Sequence, residues 1–238
     1  MQRFEELTAP DALAAEQRWL AGLAPAPWRP ADGPIVAAGA VVAFARGEQG
    51  PGRPGDHAHV GAAATRDTTE LGRLVVEGGA GAAYAPGFLA AREGALLVAA
   101  LRALIDGGIR PDVLLVDATG RDHPRRAGLG LHVGAVLDLP SVGVTHRPLL
   151  ATGPEPGDQA GSWTELTIDG EVVGRWLRTR PGVRPLAVHA GWRTDPETAT
   201  DVVQRVTARF RTPEPLRLAR CAAREARANA EGRGPDGP

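Results

Sequence analysis

Lysine is absent from this chain: the 27 residues counted as lysine or arginine are all arginine. A mechanism that depends on a lysine side chain is therefore excluded. Because alanine, glycine and proline are also abundant, the absence agrees with a GC-rich coding bias, and we give it little further functional weight.

Cysteine occurs once, at Cys221, so no disulfide can form within the chain. This favours a reducing compartment, and we expect a cytoplasmic protein. No apolar run reaches the roughly 18 residues that a membrane span requires. The charged stretch MQRFEELTAP lacks the hydrophobic region of a secretion signal. The net charge of −1 neither demands nor excludes a nucleic-acid partner.

The remaining composition, 43% hydrophobic and 23% charged, is typical of a globular protein. We expect one domain over residues 1–231 and a disordered tail over residues 232–238. The hydrophobic pattern predicts strands at 35–44, 59–65, 71–77, 113–116, 141–145, 171–179 and 186–190. It predicts helices at 5–23, 88–106, 128–137 and 196–210, and a Pro/Gly loop over 151–165. This order predicts an α/β fold, in which a three-stranded antiparallel meander and then parallel strands form a mixed sheet flanked by helices.

The stretch VLLVDATGRDHPRR, residues 113–126, combines a buried strand with polar chemistry. Four apolar residues predict a strand buried on both faces, and Asp117 follows directly. Ligands of open α/β sheets gather at the carboxyl ends of strands. With His123, Arg125 and Arg126 close behind, the stretch suits a metal-and-phosphate site. The alternative is that Asp117 caps a turn and the arginines are solvated.

Glu93 heads an apolar stripe of the helix predicted over 88–106. A carboxylate there is costly unless it is paired or binds a cation. It either forms a salt bridge with Arg92 or Arg126, or meets Asp117 over one metal ion. Tyr84, the only tyrosine, lies in a Gly/Ala-rich turn and either packs in the loop or stacks on a nucleobase.

Four motifs in this order, YAPGFLAARE, VDATGRDHPRRAGLGLHVG, LPSVGVT and AGWR, together with the late PEP, resemble the endonuclease V family over about residues 35–225. The resemblance implies an RNase H-like fold and Mg²⁺-dependent (or Mn²⁺-dependent) hydrolysis of DNA or RNA near deaminated adenine (inosine). It implies that Glu93 and Asp117 bind the metal and that His123 and His146 belong to the catalytic site. It also implies that Tyr84 is a wedge, an aromatic side chain that stacks against a nucleobase. The remaining implied substrate-binding residues are Pro86, Gly87, Leu89, Ala118, Arg125, Gly128 and Leu129.

Besides Ala83 and Ala118, which stand where the family has proline and glycine, three departures from the family motifs are serious. Val41 stands where the first strand normally carries an aspartate, His146 replaces a lysine, and Trp192 replaces a histidine. Loss of the central carboxylate leaves no oxygen donor on that wall of the site, and Glu48 could supply one only if the strand register slipped. We therefore expect metal-dependent cleavage to be strongly weakened or lost.

Two further assignments stay open. Glu197 either binds the metal or belongs to a capping box that begins at Thr194. Trp192 either blocks the site, offers a stacking surface, or packs at the sheet edge.

Three functions remain: an active endonuclease V, a relative that binds nucleic acid without cutting it, and a scaffold protein that reuses the fold. The first two would act as a monomer on single-stranded or lesion-containing DNA or RNA and need no membrane. The basic residues expected around the site are Arg121, Arg125, Arg126 and Arg147.

Overall fold

The structure is a computed structural model that describes residues 4–7, 9–46 and 50–232. Its strands are β1 (Val36–Phe44), β2 (His57–Arg66), β3 (Thr69–Gly79), β4 (Val113–Val116), β5 (Ser141–Thr145), β6 (Trp163–Ile168), β7 (Glu171–Leu177) and β8 (Leu186–Ala190). Its helices are α1 (Pro10–Gly22), α2 (Leu89–Asp106), α3 (Leu129–Leu137), α4 (Pro196–Arg205) and α5 (Glu214–Ala230), preceded by a 3-10 turn at Phe4–Glu6. Among these described residues, no helix is both long and apolar enough to span a membrane.

All eight strands form one sheet in the order β3-β2-β1-β4-β5-β8-β7-β6. The mixed α/β fold and the antiparallel meander β1-β2-β3 are confirmed. Strands β4 and β5 run parallel to β1, as the crossovers through α2 and α3 require. The expectation of parallel strands beyond the meander is wrong for β6, β7 and β8, which pair antiparallel. For β6 and β7 the reason is the tight turn at Asp169 and Gly170, both with positive φ, which joins them as a hairpin.

Two elements were missed in the sequence. Strand β6 lies partly in the segment predicted as a loop. Its half-exposed, polar residues obscure the alternation of apolar and polar positions that is typical of a strand. Helix α5 begins at the PEP motif, and its buried residues Leu216, Ala219 and Ala223 follow helical spacing. This spacing would have been sufficient to predict the helix from the sequence.

Two predicted helices are shorter than expected. The first begins at Pro10 rather than Glu5, because proline is favoured in a first helical turn but lacks the N–H that an interior position donates. Helix α4 ends at Arg205 rather than Phe210. The Thr207 hydroxyl donates to the Val203 carbonyl, and the Thr207 amide donates to Gln204 instead.

The sheet separates two apolar cores, and β1 contributes to both. Ala38 and Ala40 face α2, whereas Ala37 and Val41 face the side covered by α4 and α5. Helix α5 lies directly on the sheet because Gly61 has no side chain: a Cβ there would lie 2.0 Å from the Ala219 carbonyl oxygen. This close approach brings the polar face of α5 to the ends of β1 and β4.

Candidate functional site

A cleft of about 210 Å³ opens where β4 ends beside β1, lined by Glu93, Asp117 and Val41 among others. Ala40 pairs with Val116 in the parallel ladder, so Val41 lies level with Asp117 on the neighbouring strand. The two carboxylates predicted from the sequence thus line one cleft, and Val41 adds an apolar residue to its lining. Glu48, the suggested substitute, lies outside the described residues.

Glu93 has lost most of its hydration without gaining a cationic partner. Burial, together with the nearby Asp117 carboxylate, raises the pKa of Glu93 to about 7, although Arg92 acts in the opposite direction. The predicted salt bridge is wrong for both candidates. Arg92 donates to Asp56 at 2.9 Å, and Arg126 donates to Asp169 at 3.2 Å. Within the described part of the chain, no ion pair reaches Glu93.

The raised pKa predicts a stability that falls as pH rises. Below pH 4.5 Glu93 is protonated in both folded and unfolded states; between pH 4.5 and about 7 the unfolded chain releases the proton first. The free energy of unfolding should therefore decrease across this window, by about 3 kcal/mol in total. Glu93→Gln should remove this decrease and be the more stable protein above pH 7, as urea unfolding at several pH values would measure. Glu197→Gln, at an exposed position, serves as the control, and an unchanged slope in Glu93→Gln would contradict the assignment.

Asp117 is held by a cation from the protein itself. The Arg220 guanidinium of α5 donates to the Asp117 carboxylate at 2.7 Å. Arg220, Arg224 and Arg227 line a second cleft of about 330 Å³ together with Val41 and Asp117. No local sequence pattern predicts this contact, because the two residues of the ion pair lie 103 positions apart.

These residues do not fit the metal centre that the family resemblance implies. Magnesium needs several oxygen donors in near-octahedral geometry. Here one carboxylate is engaged by Arg220, one favours its neutral form below about pH 7, and the third position is a valine. We therefore derive no reaction step through a metal ion at this place.

A separate pocket of about 190 Å³ lies beside the cleft and shares Asp117 with it. It gathers most of the residues predicted to bind the substrate. Those that line it are Tyr84, Gly87, Leu89, Ala118 and Leu129, and His123, predicted as a catalytic residue, lines it as well. The side chain of Tyr84 is 50% exposed, so packing within the protein leaves its ring accessible. Gly128 adjoins this wall, where a Cβ would lie 2.4 Å from the Thr119 carbonyl oxygen.

His123 is a neutral imidazole that orders the pocket. Burial and the neighbouring Arg125 lower the pKa of His123 to about 4. Its Nε2 lies 3.1 Å from the Gly87 carbonyl oxygen, and its Nδ1 accepts from the Arg125 amide at 3.2 Å. These two bonds require the proton on Nε2. The exposed Pro86 precedes Gly87, whose φ of +75° lies in the left-handed region that favours glycine.

Arg125 is held by several contacts within the fold. Its guanidinium donates to Gln17 at 2.6 Å and to the Gly87 carbonyl, and lies over the Phe88 ring at 4.3 Å. Arg121 likewise donates to the carbonyls of Ala21 and Leu23 at the end of α1. Arg121, Arg125 and Arg126, the arginines expected around the site, are thus each hydrogen-bonded to oxygen atoms within the fold.

His146 and Trp192 occupy different surroundings. His146 Nδ1 lies 2.9 Å from the Arg211 guanidinium, and burial followed by Arg211 lowers the pKa of His146. Arg211 and Arg220 thus supply positive charge near His146, the position where the resemblance implies a lysine. Trp192 packs on the cluster that contains Leu131 and Ala135 and donates to Asp138, which favours the packing interpretation.

Residue Asp195, not Thr194, caps α4. The Asp195 carboxylate accepts from the Thr198 amide at 2.8 Å, whereas the Thr194 hydroxyl donates to the Ser141 carbonyl. The capping box was therefore placed one residue too early. Glu197 is exposed in the first turn of α4 and lines none of the clefts described above.

A buried hydrogen-bond network beneath the pocket was not predicted from the sequence. Asp122, which is fully buried, accepts from the amides of Leu149, Leu150 and Ala151 at 2.6–2.8 Å. His189 lies beside it, and burial lowers the pKa of His189 to about 4 despite the Asp122 charge. His189 Nε2 in turn contacts the Thr145 hydroxyl at 2.8 Å. This network positions the strand end that carries His146.

The strand order and the helices on both faces define the class of protein as an RNase H-like α/β protein, a fold shared with solved endonuclease V structures. The family model for endonuclease V matches residues 35–221. The chain belongs to the endonuclease V family, whose members are metal-dependent nucleases. One trio that could hold a metal ion, His57, His59 and Glu77, lies apart from Glu93 and Asp117.

Individual relatives agree with this assignment. Endonuclease V of Roseiflexus sp. (strain RS-1) is 46% identical over 57% of this chain, and the match spans 60% of that relative's length. Endonuclease V of Rhodospirillum centenum is 39% identical over 91% of this chain and 89% of its own. The crystal structure of the Streptomyces avermitilis endonuclease V is 30% identical with a TM-score of 0.78, covering 95% of this chain and 94% of that one.

A more distant structure carries a nucleic acid. Endonuclease V of Ciona intestinalis was crystallised with a 23mer DNA that contains an inosine followed by a ribo-adenosine. It is 19% identical, covers 93% of this chain and 99% of its own, and has a TM-score of 0.76. The likeness to it is one of fold.

Proposed function

We propose that this protein recognises inosine in DNA or RNA, and that its phosphodiester cleavage is weak or lost. The observation that carries recognition is the pocket of about 190 Å³ between Tyr84 and Leu129. It is smaller than the roughly 300–1,000 Å³ of pockets for drug-sized ligands, which suits a single flipped base. Backbone at Gly87 and the methyl group of Ala118 would contact that base.

Within this proposal, the protein's own groups bind and orient the substrate. Tyr84 stacks against the bases beside the lesion, since base–aromatic stacking needs no particular sequence. Neutral His123 holds the Gly87 carbonyl in place and excludes water from the pocket. The exposed Arg147 attracts phosphates at the rim. The inosine-containing DNA crystallised with the Ciona intestinalis relative supports inosine as the target.

The loss of cleavage rests on Val41 and Arg220. The apolar wall supplies no oxygen donor, and the Arg220 guanidinium satisfies Asp117 at 2.7 Å without a metal ion. Glu93 and Asp117, the metal ligands of the resemblance, would therefore bind Mg²⁺ or Mn²⁺ weakly. We further propose a cytoplasmic monomer with a single domain over residues 1–231.

Parallel binding and cleavage assays on inosine-containing and undamaged oligonucleotides, single- and double-stranded, DNA and RNA, with Mg²⁺ or Mn²⁺, test the proposal. Inosine-dependent binding with slow or no cleavage is the expected result. Efficient cleavage that Asp117→Ala abolishes would overturn the proposal that cleavage is weak or lost. Absence of binding at low salt would overturn recognition and favour a scaffold protein that reuses the fold.

Replacing Tyr84 tests the wedge. Tyr84→Ala should weaken binding to the inosine oligonucleotide by about 1–3 kcal/mol, because one stacking surface is lost. Fluorescence anisotropy with a labelled strand measures this change. Trp163→Ala, another exposed aromatic residue on β6, is the matched control and should bind as the parent does. Equal affinities for the Tyr84 variant and the parent would count against the wedge.

A further inference from the structure

A trio of potential metal ligands lies at one end of the β2-β3 pair. We propose that His57, His59 and Glu77 bind one divalent transition-metal ion, such as Zn²⁺, at a site separate from Glu93 and Asp117. The proposal does not depend on inosine recognition.

The strand geometry places the three side chains together. His57 and His59 alternate along β2 and so project from the same face of the sheet. Glu77 of β3 is the direct cross-strand partner of His59. The ligand atoms of all three side chains lie within 4.8 Å of one another.

The separations suit an ion between the side chains better than direct hydrogen bonds. His59 Nδ1 lies 3.4 Å from one Glu77 oxygen, and His57 Nε2 lies 3.8 Å from the other. A charge-assisted hydrogen bond would bring N and O to about 2.7–2.9 Å. Two atoms bound tetrahedrally to one zinc ion at about 2.0–2.1 Å lie roughly 3.3 Å apart. Small rotations of the side chains would therefore complete the coordination.

His59 supplies an independent indication. Its side chain is only 4% exposed, and its Nδ1 has no hydrogen-bond partner among the described residues. A buried polar atom left in this way is unfavourable, and such atoms call for an explanation. A metal ion at Nδ1 would satisfy it.

The donor set identifies the class of ion. Two imidazoles and one carboxylate favour zinc, nickel, cobalt or copper, whereas magnesium takes oxygen donors. Three protein ligands leave one position for water or an anionic oxygen. His57 and Glu77 are exposed by 54% and 63%, so an ion can enter from solvent.

The site is distinct from the cleft around Asp117. His59 pairs with Ala43 of β1, two residues beyond Val41, and β1 separates β2 from β4. Two strand spacings place the trio roughly 10 Å or more from Asp117. Metal binding here and nucleic-acid binding at the pocket can therefore be measured separately.

Metal titration of the untagged full chain, stripped with a chelator, tests the site. Co²⁺ binding should give the visible absorption of a low-symmetry, near-tetrahedral ion at one equivalent, and Zn²⁺ should displace it while Mg²⁺ does not. His57→Ala and Glu77→Gln should each weaken binding by roughly tenfold or more. Both residues are exposed, so these variants should fold even where loss of the buried His59 ring would not be tolerated.

Glu70→Gln, a change of the same chemistry on the same strand, is the matched control and should bind Co²⁺ as the parent does. Absence of saturable Co²⁺ binding would overturn the proposal. Binding that neither His57→Ala nor Glu77→Gln weakens would also overturn it and point elsewhere, for example to the exposed Cys221. Inosine-oligonucleotide binding should be the same in Glu77→Gln and the parent, which keeps this result separate from the proposed function.

Discussion

The double replacement Val41→Asp with Arg220→Ala is expected to raise Mg²⁺-dependent cleavage of an inosine-containing strand by about 10²-fold. Val41 lies level with Asp117 on the adjacent parallel strand, so the new carboxylate faces the same cleft. Removing Arg220 frees the Asp117 carboxylate from its ion pair. Three carboxylates would then share a cation, and a gain of 10²-fold corresponds to about 2.7 kcal/mol of transition-state stabilisation.

Control variants separate the contributions of the two substitutions. Val41→Asp alone should gain less, because Arg220 still competes for the carboxylates. Val41→Asn with Arg220→Ala matches the size of the new side chain without its charge and should stay near the parent rate. Single-turnover cleavage with excess protein measures all of them. If the double variant binds the strand but cuts no faster, Val41 and Arg220 are not what limits the reaction.

Loss of the buried carboxylate of Asp122 is expected to destabilise the protein by about 3 kcal/mol. Asp122→Ala removes the acceptor of three amides, from Leu149, Leu150 and Ala151. A buried donor left without an acceptor costs about 1–3 kcal/mol, and the partly exposed amides can recover part of this through water. Urea unfolding measures the change in free energy. Because Leu149 lines the pocket, inosine-dependent binding should weaken in the same variant.

Two variants sharpen this second test. Asp122→Asn keeps one carbonyl oxygen, so it should lose less stability than Asp122→Ala. Asp158→Ala removes an exposed carboxylate that also accepts a backbone amide, from Gly182, and should change stability by no more than about 0.5 kcal/mol. An Asp122→Ala protein as stable as the parent would show that the segment of residues 149–151 is held by other contacts.

Local patterns gave much of this molecule. The apolar run at 113–116 with Asp117 behind it, the stripe that contains Glu93, and the motifs around Tyr84 and His123 each carry their signal within one stretch of sequence. The meander, the parallel crossovers and the shared cleft of Glu93 and Asp117 follow from them. The family assignment rests on the same stretches, because motif order and spacing are properties of the chain alone.

Contacts between distant segments could not be read in this way. Arg220 reaches Asp117 only because α5 packs against the backbone of β2 at Gly61. No sequence pattern near either residue predicts this ion pair. The same holds for Asp122 beneath residues 149–151. It holds equally for the arginines at positions 121, 125 and 126, whose partners lie in α1, the turn before α2 and the β6-β7 hairpin. The sequence by itself determined which chemical groups are present and absent at the site, above all valine for aspartate at position 41. Only the tertiary structure decided which charges are free, because ion pairing and burial depend on distances that folding sets.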